Sequence, residues 1–136
     1  IPVVQLSINA EQPLDYHLDL ASRLAPLRDQ GVLIVGSGNI VHNLRVMNPA
    51  LPDGGFDWAT RFDDATADLL TSAPGDVLRV QDHRDFTSAV PTPDHFIPML
   101  YLAGLAAADG GTPEILVDGY TYGSLSMTSY TLGVGR

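Results

Sequence analysis

The chain has 136 residues, 45% hydrophobic and 17% charged, the balance of one ordinary globular domain that buries about two-thirds of its unfolded surface. Sixteen acidic against seven basic side chains leave a net charge of −9, which repels phosphate backbones and anionic headgroups and excludes nucleic acid and membrane surfaces as partners. Cysteine is absent and all seven Lys/Arg positions are arginine, which removes disulfides, thiolate chemistry and lysine Schiff bases and leaves histidines, carboxylates and hydroxyls for any reaction.

In chain order, residues 1–8 are apolar and β-branched and short enough for a buried strand. The opening IPVVQLSINAE has neither a charged n-region nor a cleavage pattern, and no apolar run reaches the roughly 18 residues of a bilayer span. The chain therefore reads as soluble and cytoplasmic, and its start inside an apolar run without Met reads as a cut from a longer polypeptide. Over residues 13–30, Leu14, Leu18, Ala21, Leu24 and Ala25 recur at helical spacing, and Gly31 is a natural stop. Residues 32–35 are four consecutive apolar residues running into Gly36-Ser37-Gly38-Asn39, a second buried strand with a tight turn at its end. Strand, helix and strand predict a right-handed βαβ crossover. The expected fold class is α/β, a βαβ-containing mixed sheet flanked by helices, with residues 1–136 as a single domain.

Residues 40–47 suit a short helix, and 48–55 are punctuated by prolines and glycines as a surface connection. Residues 56–72 carry Phe56, Ala59, Phe62 and Leu69 or Leu70 at helical intervals, with an Asp run between them that is expected to be solvated. Thr92-Pro93-Asp94 opens an apolar helix over 95–108, because Thr caps well, Pro is tolerated at the first helical position and an acidic residue suits the helix dipole. Residues 114–118 and 124–132 read as two strands.

Four histidines are the chemistry to be placed. His17 lies beside the apolar stripe of the first helix and reads as packed, while His83 in QDHRD reads as a solvated partner of Asp82 or Asp85. His42 follows the second buried strand and its glycine turn, at the carboxyl edge where open α/β sheets keep their ligand crevice. The Gly36-x-Gly38 pair is an incomplete dinucleotide fingerprint, since Val41 stands where the third glycine belongs, and Ser37 lacks the surroundings of a hydrolase elbow. His95 near a helix start is disfavoured as imidazolium by the macrodipole, which suits a metal ligand or a ring capped by Asp94.

Three ordered strings, PLRDQGVLIVGSGNIVHNL, PTPDHFIPMLYLAG and YGSLSMTSYTLG, resemble the C-terminal half of the LigB-type (class III) extradiol ring-cleavage dioxygenases. Within that family the likeness is to the bacterial branch that is similar to 4,5-DOPA extradiol dioxygenase. The resemblance implies a larger LigB-type α/β domain and an enzyme that cleaves a catechol ring with O2 at a non-haem Fe(II) centre, with zinc as the ion a crystal can carry instead. It implies that His42 is the acid/base and that His95 belongs to the metal site. His42 is also implied as an additional metal ligand, by likeness to zinc-bound members, and Tyr120, Tyr122 and Ser124 as substrate neighbours. Arg45, Arg79 and Arg84 are available to meet a substrate carboxylate.

The resemblance also implies a departure. The family's other metal-binding histidines lie in an N-terminal half, and one or two histidines make a poor iron site when three or four protein ligands are usual. The expected partners are a catechol, O2, and an N-terminal half or second chain that completes the metal site. A different reading is a non-enzymatic interaction protein on the same fold, as in the Memo family, and a third is a hydrolase using metal-bound water. Fold alone does not decide among them.

Overall fold

The computed structural model describes residues 1–133. Among these residues there are five α-helices, α1 (Leu14–Leu24), α2 (Pro26–Asp29), α3 (Asp57–Ser72), α4 (Phe86–Ala89) and α5 (Ile97–Asp109), with 3-10 segments at Leu44–Val46 and Pro74–Asp82. Four short strands follow α5: β1 (Glu114–Val117), β2 (Tyr120–Thr121), β3 (Leu125–Ser126) and β4 (Ser129–Thr131). They form two antiparallel pairs, β1 with β4 and β2 with β3. None of the described helices is long and apolar enough to cross a membrane.

Helix α5 is apolar on every side and is accordingly enclosed, with Ile97, Leu100, Ala103 and Ala106 fully buried. It ends at Gly110, whose left-handed φ of 66° lets its N–H reach back to the Ala106 carbonyl. Gly104 permits the close crossing of α1, because a Cβ there would collide with the Leu18 carbonyl and the Ala21 methyl. The core continues through Phe62, Leu70, Val77, Val80 and Phe96, and Phe62, Phe86 and Phe96 meet in aromatic contacts with centroids 5.9 to 6.3 Å apart.

His17 is packed, as the sequence suggests. Its Nε2 lies 3.1 Å from the Asn9 carbonyl and so carries the proton, which leaves Nδ1 to accept from the Tyr101 hydroxyl at 3.3 Å. Burial holds its pKa below the ordinary 6.5. The unfolded chain thus takes up a proton first as pH falls, so the contribution of His17 to stability is complete above about 6.5 and drains away below it. Urea unfolding should show His17→Gln about 1–3 kcal/mol less stable than wild type at pH 7.5, the range for disturbing a buried hydrogen-bonded group. The gap should narrow by pH 5, and a gap that stays constant would refute this account.

The α/β class holds, but several expected elements are drawn differently. Residues 1–8 and 32–35 are not paired in a β-ladder, and most of their apolar side chains stand in the open, Val3 and Val4 at 90% exposure and Leu33 at 85%. The βαβ crossover is therefore not closed by hydrogen bonds within the described residues. An apolar run becomes a buried strand only when neighbouring strands take its N–H and C=O groups and cover its faces. The helix expected over 13–30 breaks into α1 and α2 at Ala25, because Pro26 has no N–H to continue the ladder. The short helix expected over 40–47 is only the turn Leu44–Val46, opened by Asn43, whose side chain accepts from the Arg45 N–H.

The helix expected over 95–108 begins two residues later, at Ile97, with Pro98 in its first turn. His95 is outside it, in a turn where the Phe96 and Ile97 N–H groups both donate to the Pro93 carbonyl. The strand expected over 124–132 is divided into β3 and β4, which pair with different partners. The 114–118 expectation matches β1.

Candidate functional site

His42 sits on a stretch of backbone, residues 39–43, that is fastened on three sides. Its own N–H donates to the Ala89 carbonyl at the end of α4 at 2.9 Å. On the other flank, His42 pairs across an antiparallel bridge with Leu125 of β3. The Ser126 N–H donates to the Val41 carbonyl (3.0 Å), and the Asn43 N–H donates to the Ser124 carbonyl (3.1 Å). Ser124 Oγ returns a bond to the Asn43 carbonyl at 2.7 Å, and Asn43 Nδ2 reaches the Ser88 carbonyl at 2.8 Å. Beneath them Ile40 and Val41 are anchored in the core.

His95 is held against the same stretch. The Asn39 N–H donates to the His95 carbonyl at 3.0 Å, and Asn39 Nδ2 donates to the Ser126 carbonyl at 2.7 Å. The two glycines of GSG serve this approach. A Cβ on Gly38 would collide with the His95 carbonyl, and one on Gly36 would press on Pro98. The motif thus brings residues 36–39 onto the His95 turn by close backbone contact.

The result is a pair of imidazoles stacked face to face, with centroids 3.5 Å apart and planes 4° from parallel. His95 Nδ1 is buried with no hydrogen-bond partner among the described residues, while its Nε2 lies 3.7 Å from Asp94 Oδ2. Burial, then the charge of His95, lowers the His42 pKa below 6.5, with Asp94 opposing. His42 is therefore neutral at physiological pH, as a base must be. Asp94 is itself held below the usual carboxylate range, first by a hydrogen bond from Thr92.

The stacking bears on metal binding. An imidazole lone pair lies in the plane of its ring, and two nitrogens sharing one ion must aim at it from directions about 90–110° apart at about 2.0–2.1 Å. Planes 4° apart do not converge in that way, so in this arrangement the two rings cannot share one ion. The unpartnered nitrogen of His95 fits a ligand's role. Among the described residues, no group of three or more His, Asp or Glu side chains is gathered to hold a metal.

The other expected site residues are distributed as follows. Ser124 fastens the backbone beside His42. The Tyr120 hydroxyl is turned to Asp63 at 3.1 Å, and burial and that carboxylate push its pKa well above 10. Tyr122 is exposed, has a left-handed φ of 54°, and offers its carbonyl to the Asn48 N–H. His83 accepts from the Asp85 N–H, Arg84 pairs with Asp85 at 3.6 Å, Arg79 shares a surface depression with Asp68 and Asp82, and Arg45 is exposed.

One residue of the expected solvated Asp run is not solvated. Asp63 is 2% exposed and takes hydrogen bonds from Tyr120, Ser126 and Thr128. The signal was in the spacing, because Ala59, Phe62, Asp63, Thr66 and Leu70 make one continuous buried stripe of α3.

Fold and site together define an α/β protein that presents two stacked histidines where an extended segment turns beside a strand. Residues 1–133 match the family described as the catalytic LigB subunit of aromatic ring-opening dioxygenase, and the chain belongs to this family. It is 41% identical over 138 aligned residues to the 4,5-DOPA dioxygenase extradiol of Escherichia coli K12, covering 98% of this chain and 50% of that protein. The Beta vulgaris protein of the same name is 34% identical, over 96% of this chain and 48% of its own length. A crystal structure of an uncharacterised Escherichia coli K12 protein superposes with a TM-score of 0.81 at 38% identity, over 91% of this chain and 52% of that one. The chain spans about half the length of the curated relatives it matches.

Proposed function

We propose that this chain forms one half of an extradiol dioxygenase that opens a catechol ring with O2 at a non-haem Fe(II) centre. The observation that carries the proposal is the stacked His42–His95 pair with the unpartnered His95 Nδ1, in a chain that matches the ring-opening dioxygenase family over residues 1–133. His95 would hold the iron, and the remaining ligands would come from polypeptide outside this sequence. The bare apolar segments 1–8 and 32–35 support that arrangement, since strands from the same source would cover them. Bound Fe(II) with open positions supplies the path by which ring electrons reach dioxygen.

The chain's own residues do the proton work and the positioning. His42, neutral and half-buried, takes the proton of a catechol hydroxyl as the substrate docks and returns one to an oxygen derived from O2 as the ring opens. Asn39, Asn43 and Ser124 keep its backbone from shifting while it does so. The enclosed core beneath the pair keeps bulk water to one side. The names of the relatives make a DOPA-like catechol the first substrate to try.

The test is oxygen uptake by the complete enzyme, reconstituted with Fe(II) without air and then given aerated DOPA or 4-methylcatechol. One O2 consumed per catechol with a yellow ring-opened product is the expected result. Imidazole also binds zinc well, so a zinc-filled preparation that is inactive until exchanged for iron agrees with the proposal. No uptake with iron in place would refute it and favour a non-catalytic interaction protein on this fold.

A further inference from the structure

We propose that Asp63, on the buried face of α3, is a positioning residue for His42, acting through Ser126. The proposal rests on the acid/base reading of His42 given above. Asp63 accepts from Ser126 Oγ at 2.8 Å on Oδ1, and from Thr128 Oγ1 at 2.6 Å and the Tyr120 hydroxyl at 3.1 Å on Oδ2. All three donors lie between residues 120 and 128, and no arginine pairs with the carboxylate among the described residues. A buried carboxylate compensated only by hydroxyls is tolerable in one docking of that segment and costly in any other.

Ser126 passes the constraint on. Its side chain is on Asp63, its N–H is on the Val41 carbonyl, and its carbonyl takes Asn39 Nδ2. The neighbouring Leu125 is the bridge partner of His42. The β2–β3 ladder itself is only two residue pairs long, Tyr120 with Ser126 and Thr121 with Leu125, too short to fix its own register firmly. Asp63 thus connects the rigid helix α3 to the backbone that carries the His42 imidazole, and the stack on His95 depends on where that backbone lies.

The test uses Asp63→Ala, Asp63→Asn and the milder Ser126→Ala in the complete enzyme, with the core variant Val77→Ala as a measure of plain destabilisation. Amide hydrogen exchange followed residue by residue should quicken about tenfold or more at Asn43 and Ser126 in Asp63→Ala, while α5 amides change only as they do in Val77→Ala. Turnover should fall about tenfold or more in kcat, with KM and bound metal within about twofold of wild type, the pattern of a lost transition-state alignment. Asp63→Asn should recover part of both, because its amide oxygen still accepts and the hydroxyls can turn to accept from its NH2.

Unchanged exchange at Asn43 and Ser126 would overturn the proposal, as would a loss of kcat no greater than that of Val77→Ala. If the wild-type enzyme consumes no oxygen, the functional reading fails on its own. The exchange data then still decide whether Asp63 holds the His42 backbone.

Discussion

His95→Ala is expected to strip the metal from the complete enzyme and, with it, all measurable ring cleavage. The ring contributes a buried nitrogen with no partner among the described residues, and the His42 ring stacked on it is aimed parallel to it, so no neighbouring imidazole is placed to substitute. Removing a partner that merely orients a ligand weakens metal binding by about 10–100-fold, and removing the ligand itself should exceed the upper end of that range. The fold should survive, because His95 lies outside helix α5 and outside the buried clusters. Metal per chain by elemental analysis, set beside the thermal midpoint, separates the two effects. A His95→Ala protein that keeps a full equivalent of iron would overturn the ligand assignment whatever its activity.

The two histidines stand out in the sequence partly by local context and otherwise by the family resemblance. Gly36 and Gly38 flag a tight turn before His42, and Thr92-Pro93-Asp94 precedes His95. What was not legible was how they meet, since the stack depends on a contact between residues 38 and 95 that no spacing rule reports. The helix start was misplaced for a related reason. Thr92-Pro93-Asp94 is a good opening for a helix, but it also opens a turn, and Pro98 sets the true start at Ile97.

Composition marks out the strands, but composition alone cannot supply a neighbour. Val3, Val4, Leu33 and Val35 have the character of a sheet interior, yet they are exposed and unpaired within the described residues. Asp63 shows the opposite failure. Charge made it look solvated, whereas its place in the Ala59–Phe62–Thr66–Leu70 stripe put it inside. Position on the helix outweighed residue type because three hydroxyls were waiting for it.

His42→Ala should part company with His95→Ala by keeping the metal and losing the reaction. If His42 is the base, its removal takes away proton transfer worth about 100- to 10,000-fold in turnover, while the ion stays on His95 and the ligands contributed from outside this sequence. The geometry argues for this division. Rings 4° from parallel do not share an ion, and burial keeps His42 neutral and ready to accept a proton. His42→Gln is the stricter variant, since it retains much of the volume over His95 and a hydrogen-bonding end but cannot take up a proton at neutral pH. Both variants should hold about one iron per chain, bind catechol with KM changed by less than about threefold, and show the loss in kcat. Loss of metal from His42→Ala to the level of His95→Ala would make His42 a ligand and would require the two rings to unstack when the ion binds. Retained turnover in His42→Gln would remove His42 from the proton path and leave that role to a residue outside this chain.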